Sequence, residues 1–239
     1  MSIEKESLQY WSGRAPEYSK LHMESYASDK RGNFERQLVL ALSQVKADAQ
    51  AAGRRVRALD LGCGSGFMSL LLLDAGCEVI GVDFSCEMLE QARANVAGKG
   101  YEATFLQMRV QELDFPDASF DFVVSRNVTW VLEDVDRVYA QVMRVLAPGG
   151  VFLNLDANYG QGFREQEQRG ETFSHPTQTQ EQLLQRNDIV RDLPISWVER
   201  PQWDIGVFWD LGASEVRCRR MGTGTNARGS QMFALEVHK

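Results

Sequence analysis

A glycine-rich run flanked by acids is the part of this chain best suited to binding a ligand. The run reads Asp60-Leu61-Gly62-Cys63-Gly64-Ser65-Gly66, and a second acid, Asp83, ends the next predicted strand. Glycines let a strand turn sharply into a helix and let a ligand approach the backbone closely. A carboxylate at the end of the following strand can accept hydrogen bonds from both hydroxyls of a ribose. The pattern therefore predicts a ligand that contains a nucleoside.

The glycine spacing separates two classes of nucleotide-binding protein. Here it is G-x-G-x-G, whereas the dinucleotide fingerprint is G-x-G-x-x-G. A glycine-rich turn alone is weak evidence, because nucleotide-binding turns and purely structural turns share it. In the alternative interpretation, Asp60 and Asp83 only cap the following helices, while Phe84 and Met88 only pack in the core.

Further polar and aromatic side chains are candidates for contact with a reacting partner. Open α/β sheets bind ligands beyond the carboxyl ends of their strands. At those ends, the loops after the fourth and fifth predicted strands contain Arg126, Asn127, Trp130, Asn158 and Tyr159. His22 and His175 are placed to act as bases, although a loop histidine without a demonstrated partner is more often solvated than catalytic.

The elements that must position these residues alternate between strand and helix from residue 56 onward, as in a parallel sheet with crossover helices. Helices are predicted over 4–12 and 33–52, before the sheet. A later helix begins after Asp134 and is ended by Pro148-Gly149-Gly150. Strands are predicted over 57–61, 78–82, 104–108, 120–125, 151–156, 215–221 and 231–238, and further helices over 67–75, 86–97 and 201–211.

The segment 158–191 differs from the rest of the chain because it is polar and has no strong hydrophobic period. We expect a mobile or partly helical excursion outside the core, which could cover a bound substrate. Trp197, Trp203 and Trp209 are expected to pack in the core or against this lid. Arg14 is expected to form a surface ion pair, with binding of a ligand carboxylate as the alternative.

Four ordered motifs resemble those of class I S-adenosylmethionine-dependent methyltransferases, and their combination is more specific than any one of them. The resemblance implies an α/β doubly wound, Rossmann-like sheet of seven strands in the order 3-2-1-4-5-7-6, with the last strand antiparallel. The motifs are Asp60 to Gly66, Val82-Asp83-Phe84-Ser85, Phe115-Pro116-Asp117-Ala118-Ser119-Phe120-Asp121 and Val145-Leu146-Ala147-Pro148-Gly149-Gly150.

On this resemblance the whole chain, 1–239, is predicted to be one methyltransferase domain. Residues 1–55 would form an N-terminal helical cap and 56–156 the cofactor-binding core. Residues 157–200 would form the lid or substrate segment, and 201–239 the C-terminal strands. The segment from Tyr10 to Tyr18 resembles the cap that closes over the cofactor in members acting on small molecules.

The resemblance also implies a place for each part of S-adenosyl-L-methionine, whose product is S-adenosyl-L-homocysteine. Asp60 and the Ser125 carbonyl would lie near the ammonium, and Asp83 would hold the ribose. Arg109 aligns with the acid that often meets the adenine amino group, so Gln111 or a backbone group is expected to contact the adenine instead. The predicted cofactor contacts are Tyr18, Asp60, Gly62, Cys63, Gly64, Gly66, Asp83, Phe84, Met88, Val110, Gln111 and Ser125.

The expected reaction is methyl transfer to a small molecule, at an O, N, S or C atom that the sequence does not identify. Catalytic candidates are Tyr18, His22, Asn127 and Tyr159. Two alternatives remain open. An NAD-dependent oxidoreductase shares the strand, turn and acid but needs the longer glycine spacing. A non-catalytic module would bind S-adenosylmethionine without transferring its methyl group.

Composition disfavours several other classes. A formal net charge of -7 gives no electrostatic attraction to a polynucleotide, so no nucleic-acid partner is expected. Four cysteines without a C-x-x-C pair and three histidines without zinc spacing predict no metal site. The polar N-terminus and the lack of a long apolar run predict a cytoplasmic protein with no signal peptide and no membrane partner.

Overall fold

Three helices precede the sheet in this computed structural model, which describes residues 2–170, 178–221 and 231–239. They are α1 (Ile3–Gly13), α2 (Ala15–Tyr26) and α3 (Arg31–Ala51). The Ser2 side chain caps α1 by accepting a hydrogen bond from the Lys5 N–H. The predicted N-terminal helical cap is therefore confirmed, with α2 as an additional separate helix.

A mixed sheet of seven strands, in the order β3-β2-β1-β4-β5-β7-β6, forms the centre of the molecule. Strands β1 to β5 pair in parallel, whereas β7 runs antiparallel to both β5 and β6. This confirms the predicted doubly wound topology. The strands are β1 (Arg57–Leu61), β2 (Glu78–Asp83), β3 (Thr104–Gln107), β4 (Phe120–Arg126), β5 (Leu146–Ala157), β6 (Glu215–Arg220) and β7 (Met232–His238).

Helices cover both faces of the sheet because neighbouring strand residues point to opposite sides. Phe122 belongs to one buried apolar cluster, together with residues of α3, α4 and α5. Val123 belongs to the other, together with residues of α6, α7, α8 and α9. These helices are α4 (Phe67–Asp74), α5 (Cys86–Gly98), α6 (Val135–Val145), α7 (Tyr159–Gln168), α8 (Gln180–Arg191) and α9 (Gln202–Asp210).

The parallel register brings the carboxyl ends of the central strands to one edge. Leu61 lies opposite Val82 on β2 and opposite Ser125 on β4. The glycine-rich turn after β1 therefore lies beside the acid that ends β2 and beside the loop that follows β4. The binding elements predicted from the sequence share one edge.

The predicted C-terminal end of α6 is wrong. The helix begins after Asp134 as predicted, although the Asp134 side chain makes no capping hydrogen bond, but it ends at Val145, before the Pro-Gly-Gly run. Leu146 is already extended and pairs with Phe120, and a register shift before Phe122 accommodates the run within β5. Strand pairing thus begins earlier than the turn residues suggest.

The expectation that 158–191 lies outside the core is wrong for its described residues. Tyr159 and Phe163 of α7 and Val190 of α8 are buried in the same cluster as β4 and α6. Most of the large apolar residues described in the segment are buried, although Leu184 is 50% exposed, and the polar average composition conceals this. Trp197 and Trp209 do not pack as expected, because they are 64% and 50% exposed. Within the described ranges, no helix has the length and apolar character needed to cross a membrane.

Candidate functional site

The turn between β1 and α4 depends on three glycines in the left-handed region, with φ of 68° at Gly62, 51° at Gly64 and 87° at Gly66. A Cβ added at Gly62 would lie 2.6 Å from a Val128 methyl carbon. One added at Gly66 would lie 3.3 Å from the Cα of Ala92. Side chains at these two positions are thus excluded by both conformation and space.

Gly64 instead faces a cavity with an empty volume of about 1040 Å³. A Cβ added there would meet only Tyr18 and Met88, at 3.9 and 4.0 Å, and both residues line the cavity. This volume includes space that is open to solvent. The predicted site residues that line it are Tyr18, His22, Asp60, Gly62, Cys63, Gly64, Asp83, Phe84, Met88, Val110, Gln111 and Asn127.

The candidate Arg126 also lines the cavity, whereas five predicted residues do not: Gly66, Ser125, Trp130, Asn158 and Tyr159. Gly66 packs against α5, and the buried Ser125 hydroxyl donates a hydrogen bond to Asn154 Oδ1 at 2.8 Å. Tyr159 reaches the cavity wall only indirectly, because its hydroxyl donates to Asn127 Oδ1 at 2.9 Å. His175 lies outside the described residues.

Asp83 is the more constrained of the two acids at this edge. It is buried, and it accepts hydrogen bonds from the Gly64 N–H at 2.9 Å and the Ser85 N–H at 3.0 Å, one on each oxygen. Burial raises its pKa to about 6, against the effect of these hydrogen bonds. Each carboxylate oxygen retains a further lone pair, so the ionised group can accept two hydroxyl hydrogen bonds.

Asp60 is almost fully buried and accepts a hydrogen bond from the Ser69 hydroxyl at 2.6 Å. Burial raises its pKa to about 7. Neither acid caps a helix, since the N-cap residues of α4 and α5 are Gly66 and Ser85. The capping interpretation of the two acids is therefore wrong.

His22 and Arg126 form a polar pair in the cavity wall. Arg126 Nη1 lies 3.0 Å from His22 Nε2, and His22 Nδ1 lies 2.8 Å from the Ser65 hydroxyl. Arginine can only donate, so Nε2 accepts and Nδ1 carries the hydrogen. Burial and the neighbouring arginine hold the pKa of His22 well below its usual value. His22 is thus neutral, with both ring nitrogens engaged.

Asn127 is fixed in an uncommon backbone conformation beside this pair. Its φ is 56°, in the left-handed region. Its N–H donates to the Leu155 carbonyl at 3.0 Å, and its carbonyl accepts from Trp130 Nε1 at 3.0 Å. With Tyr159 holding its side-chain oxygen, the residue is fixed at three points.

The junction between α1 and α2 contains one more residue for which the sequence made a prediction, Arg14. Arg14 is buried at 4% exposure, so the surface placement expected from the sequence is wrong. Its guanidinium lies 5.9 Å from the Tyr10 ring and 6.0 Å from the Tyr18 ring, and it pairs with Glu17 at 3.4 Å. Because α1 and α2 pack over the turn, this arginine is covered by aromatic rings.

Comparison with known proteins agrees with this geometry. Residues 59–154 match the family model described as a methyltransferase domain. Phosphatidylethanolamine N-methyltransferase from Cereibacter sphaeroides is 42% identical over 106 residues, which are 44% of this chain and 51% of that protein. Demethylmenaquinone methyltransferase from Thermus thermophilus is 34% identical over 145 residues, 59% of this chain and 61% of that protein. Over this stretch the chain is similar to known methyltransferases.

These matches extend over part of each relative, since the chain spans about half to three fifths of their length. A solved structure shares the fold of the methyltransferase domain. It is phosphoethanolamine N-methyltransferase 2 from Haemonchus contortus in complex with phosphomonomethylethanolamine and S-adenosylhomocysteine. It superposes with a TM-score of 0.56 at 19% identity, over 77% of this chain and 49% of that one.

Sequence reasoning missed part of the cavity wall, which comes from α1 and lies outside the matched methyltransferase domain. Ile3, Glu4 and Ser7 line the cavity beside the loop after β3. The Glu4 carboxylate pairs with Arg109 Nε at 2.7 Å. An acid therefore stands near the position where the family pattern has one, supplied by a different element. Only the helical spacing of α1 could have pointed to these residues.

The domain offers no metal centre within the described ranges, where no group of three or more His, Cys, Asp or Glu residues is arranged to hold an ion. Cys63 and Cys77 are buried thiols, and burial raises the pKa of each. The charged residues that line the cavity are Asp60 of β1, Asp83 of β2, Arg109, Arg126, Glu4 and Glu133.

Proposed function

We propose that this protein is an S-adenosylmethionine-dependent methyltransferase that modifies a small molecule and releases S-adenosylhomocysteine. The observation that carries the proposal is the meeting of the glycine turn, Asp60 and Asp83 in one cavity. The match of 59–154 to a methyltransferase domain supports it. The names of the relatives, which refer to phosphatidylethanolamine and demethylmenaquinone, favour a small acceptor.

The residues present fit this cofactor. Asp83 keeps two free lone pairs for the ribose hydroxyls, and Gly64 leaves open space where a side chain would project into the cavity. Phe84, Met88 and Val110 provide an apolar border for the adenine. When bound, the cofactor supplies a methyl group on a positively charged sulfur.

The amino-acid end of the cofactor would lie at the turn itself. Asp60 is a buried acid beside the exposed backbone of Gly62 and Gly64, and it would attract the ammonium. The Ser125 carbonyl is proposed as a second acceptor at the end of β4. Cys63 and Gly66 shape the turn, while Tyr18 closes the cavity from α2.

The adenine amino group would be read at the edge formed by α1 and the loop after β3. Glu4 supplies a carboxylate there, held by Arg109 at 2.7 Å, and Gln111 lines the same wall. An acid at this edge accepts the hydrogen bond that an exocyclic amine donates. In this proposal Glu4 of α1 takes the role of the acid that the family pattern places after the third strand.

The chain contributes to methyl transfer mainly by alignment and by exclusion of water. Holding two reactants in line can lower a barrier by about 7–11 kcal/mol in favourable cases. Asn127 lies in the wall where the acceptor would approach, and Tyr159 acts on it as a positioning residue. His22 is proposed to hold Arg126 and not to remove a proton, since both its ring nitrogens are engaged.

Incubation of the pure protein with methyl-labelled cofactor and a metabolite extract tests the proposal. The expected result is a labelled small molecule, identified by its mass, that is absent when S-adenosylhomocysteine is added in excess. Binding of S-adenosylhomocysteine without any labelled product would instead favour a non-catalytic binding module. Quenching of tryptophan fluorescence by NADH and not by S-adenosylhomocysteine would favour an oxidoreductase.

A further inference from the structure

Arg126 is a cation in the cavity wall that forms no ion pair with any described acid. Its guanidinium carbon lies 4.5 Å from the ring centres of both Phe34 and Phe67. Nη1 donates to His22 Nε2, while the buried Nε has no hydrogen-bond partner. The side chain is thus held in place but is not neutralised.

Such an arrangement is costly unless a ligand completes it. Aromatic faces attract a guanidinium, but the attraction is smaller than that of a carboxylate in a site shielded from water. A neutral imidazole accepts one hydrogen bond and adds no negative charge. The donors of arginine form a planar fork that fits a carboxylate. The cavity wall therefore has a place for an anionic group brought by the ligand.

The position of Asp60 indicates which group this is. Asp60 lies next to the last residue of β1, Leu61. Leu61 is opposite Ser125 of β4, and Arg126 follows Ser125, so Asp60 and Arg126 lie at the same edge of the sheet. Asp60 and Arg126 both line the cavity, and Arg126 lowers the pKa of Asp60 against the larger effect of burial. A fixed acid and a fixed cation in one cavity match the two charges of an α-amino acid.

We propose that Arg126 binds the α-carboxylate of the methionine part of S-adenosylmethionine, while Asp60 attracts the ammonium of the same group. This inference rests on the proposed function. His22 is a positioning residue in it, because it links Arg126 to Ser65 of the glycine turn. Binding of the amino-acid end is thereby tied to the turn that surrounds the rest of the cofactor.

Calorimetric titration with two ligands tests the proposal. One ligand is S-adenosylhomocysteine, and the other is its analogue S-adenosyl-3-thiopropylamine, which keeps the amine but lacks the carboxylate. The wild-type protein is expected to prefer S-adenosylhomocysteine. Arg126→Gln should bind S-adenosylhomocysteine about 10- to 100-fold more weakly, as expected for loss of a charge-assisted contact. Its affinity for the analogue should stay within about twofold of the wild-type value, since the analogue has no carboxylate for either arginine or glutamine to bind.

Three further variants keep the test decisive. Arg109→Gln removes another cavity-lining arginine, one already paired with Glu4, and should change both affinities by the same factor. Arg126→Lys keeps the charge without the fork, so it should lose part of the preference and is available if Arg126→Gln does not fold. The His22→Gln variant should reduce the preference less than Arg126→Gln, with the analogue's affinity unaffected.

The proposal is overturned if folded Arg126→Gln or Arg126→Lys binds both ligands as the wild type does, or weakens both equally. That result would assign Arg126 to structure or to an anionic group of the acceptor. Failure of the wild-type protein to bind either ligand would be a different outcome, because it would contradict the proposed function itself.

Discussion

At the scale of single residues, the site is built from buried acids whose pKa values are raised. Asp60 and Asp83 have pKa values raised to about 7 and about 6, with burial as the main cause in both. Burial of an acid disfavours its charged form, and a ligand that brings an ammonium or hydroxyl donors restores it. Binding of such a ligand is therefore coupled to release of protons.

Replacement of Asp83 tests the ribose contact. Asp83→Ala should weaken binding of S-adenosylhomocysteine by about 2 kcal/mol or more, because it removes charge-assisted hydrogen bonds. Calorimetric titration measures the change. Asp114→Ala, which removes an exposed acid that does not line the cavity, is the matched control and should bind normally. Unchanged affinity in a folded Asp83→Ala protein would refute the ribose assignment.

The raised pKa values also predict how affinity depends on pH. The ligand favours the ionised form of both acids, so below their pKa values of about 7 and about 6 binding must first remove a proton. Affinity for S-adenosylhomocysteine should therefore fall as pH is lowered from 8 to 5, approaching about tenfold per pH unit for each protonated group. Titrations at several pH values measure the slope. An affinity that is constant, or that rises towards pH 5, would contradict this coupling.

At the scale of elements, the turn between β1 and α4 determines where the cavity opens. Gly62 packs against Val128 of the loop after β4, and Gly66 packs against α5. Gly62 and Gly64 both line the cavity, and of the three glycines only Gly64 has open space where a Cβ would project. The turn thus packs tightly against its neighbours and leaves the backbone around Gly64 accessible to a ligand.

A pair of glycine variants separates conformation from packing. Gly53 and Gly62 have nearly the same φ, 67° and 68°, but a Cβ at Gly53 meets nothing within 4 Å. Gly53→Ala should lower the free energy of unfolding by about 1 kcal/mol through strain alone. Gly62→Ala should cost about 1–3 kcal/mol more, because the new methyl group overlaps Val128. Urea denaturation measures both, and equal losses would show that the overlap is relieved without cost.

The sequence predicts an element well when nearby residues determine it, and poorly when distant parts of the chain determine it. Strands β1 and β2 are predicted to within one residue, since buried apolar runs end at glycines or acids that are visible in the sequence. The role of Glu4 could not be predicted, because it depends on how α1 docks against the loop after β3. The predicted burial of Trp197 and the predicted exposure of Arg14 are wrong for the same reason, because tertiary packing determines both.

At the scale of the whole molecule, the N-terminal helices cover the cavity that the sheet opens. Ile3, Glu4 and Ser7 of α1 and Tyr18 and His22 of α2 all line it. Helix α1 is in turn held by the segment after β5, where Gln178 donates to the Tyr10 hydroxyl at 2.6 Å. A ligand in the cavity would therefore contact the cap, the sheet edge and the loop after β4 together.

Hydrogen exchange tests this arrangement. Saturating S-adenosylhomocysteine should slow amide exchange in α1 and α2, because opening of the cap then requires loss of ligand contacts. Helix α9 does not line the cavity and serves as the internal control. Protection confined to the glycine turn, with none in α1 or α2, would contradict closure by the cap. The lid role predicted for residues 157–200 stays a prediction, and the same experiment reports on it.

The most direct test of the central claim is a crystal structure of the protein with S-adenosylhomocysteine. The account predicts the nucleoside beside Gly64, with both ribose hydroxyls on Asp83 and the adenine between Met88 and Val110. An empty cavity at saturating ligand, or a nucleoside bound elsewhere on the molecule, would contradict it.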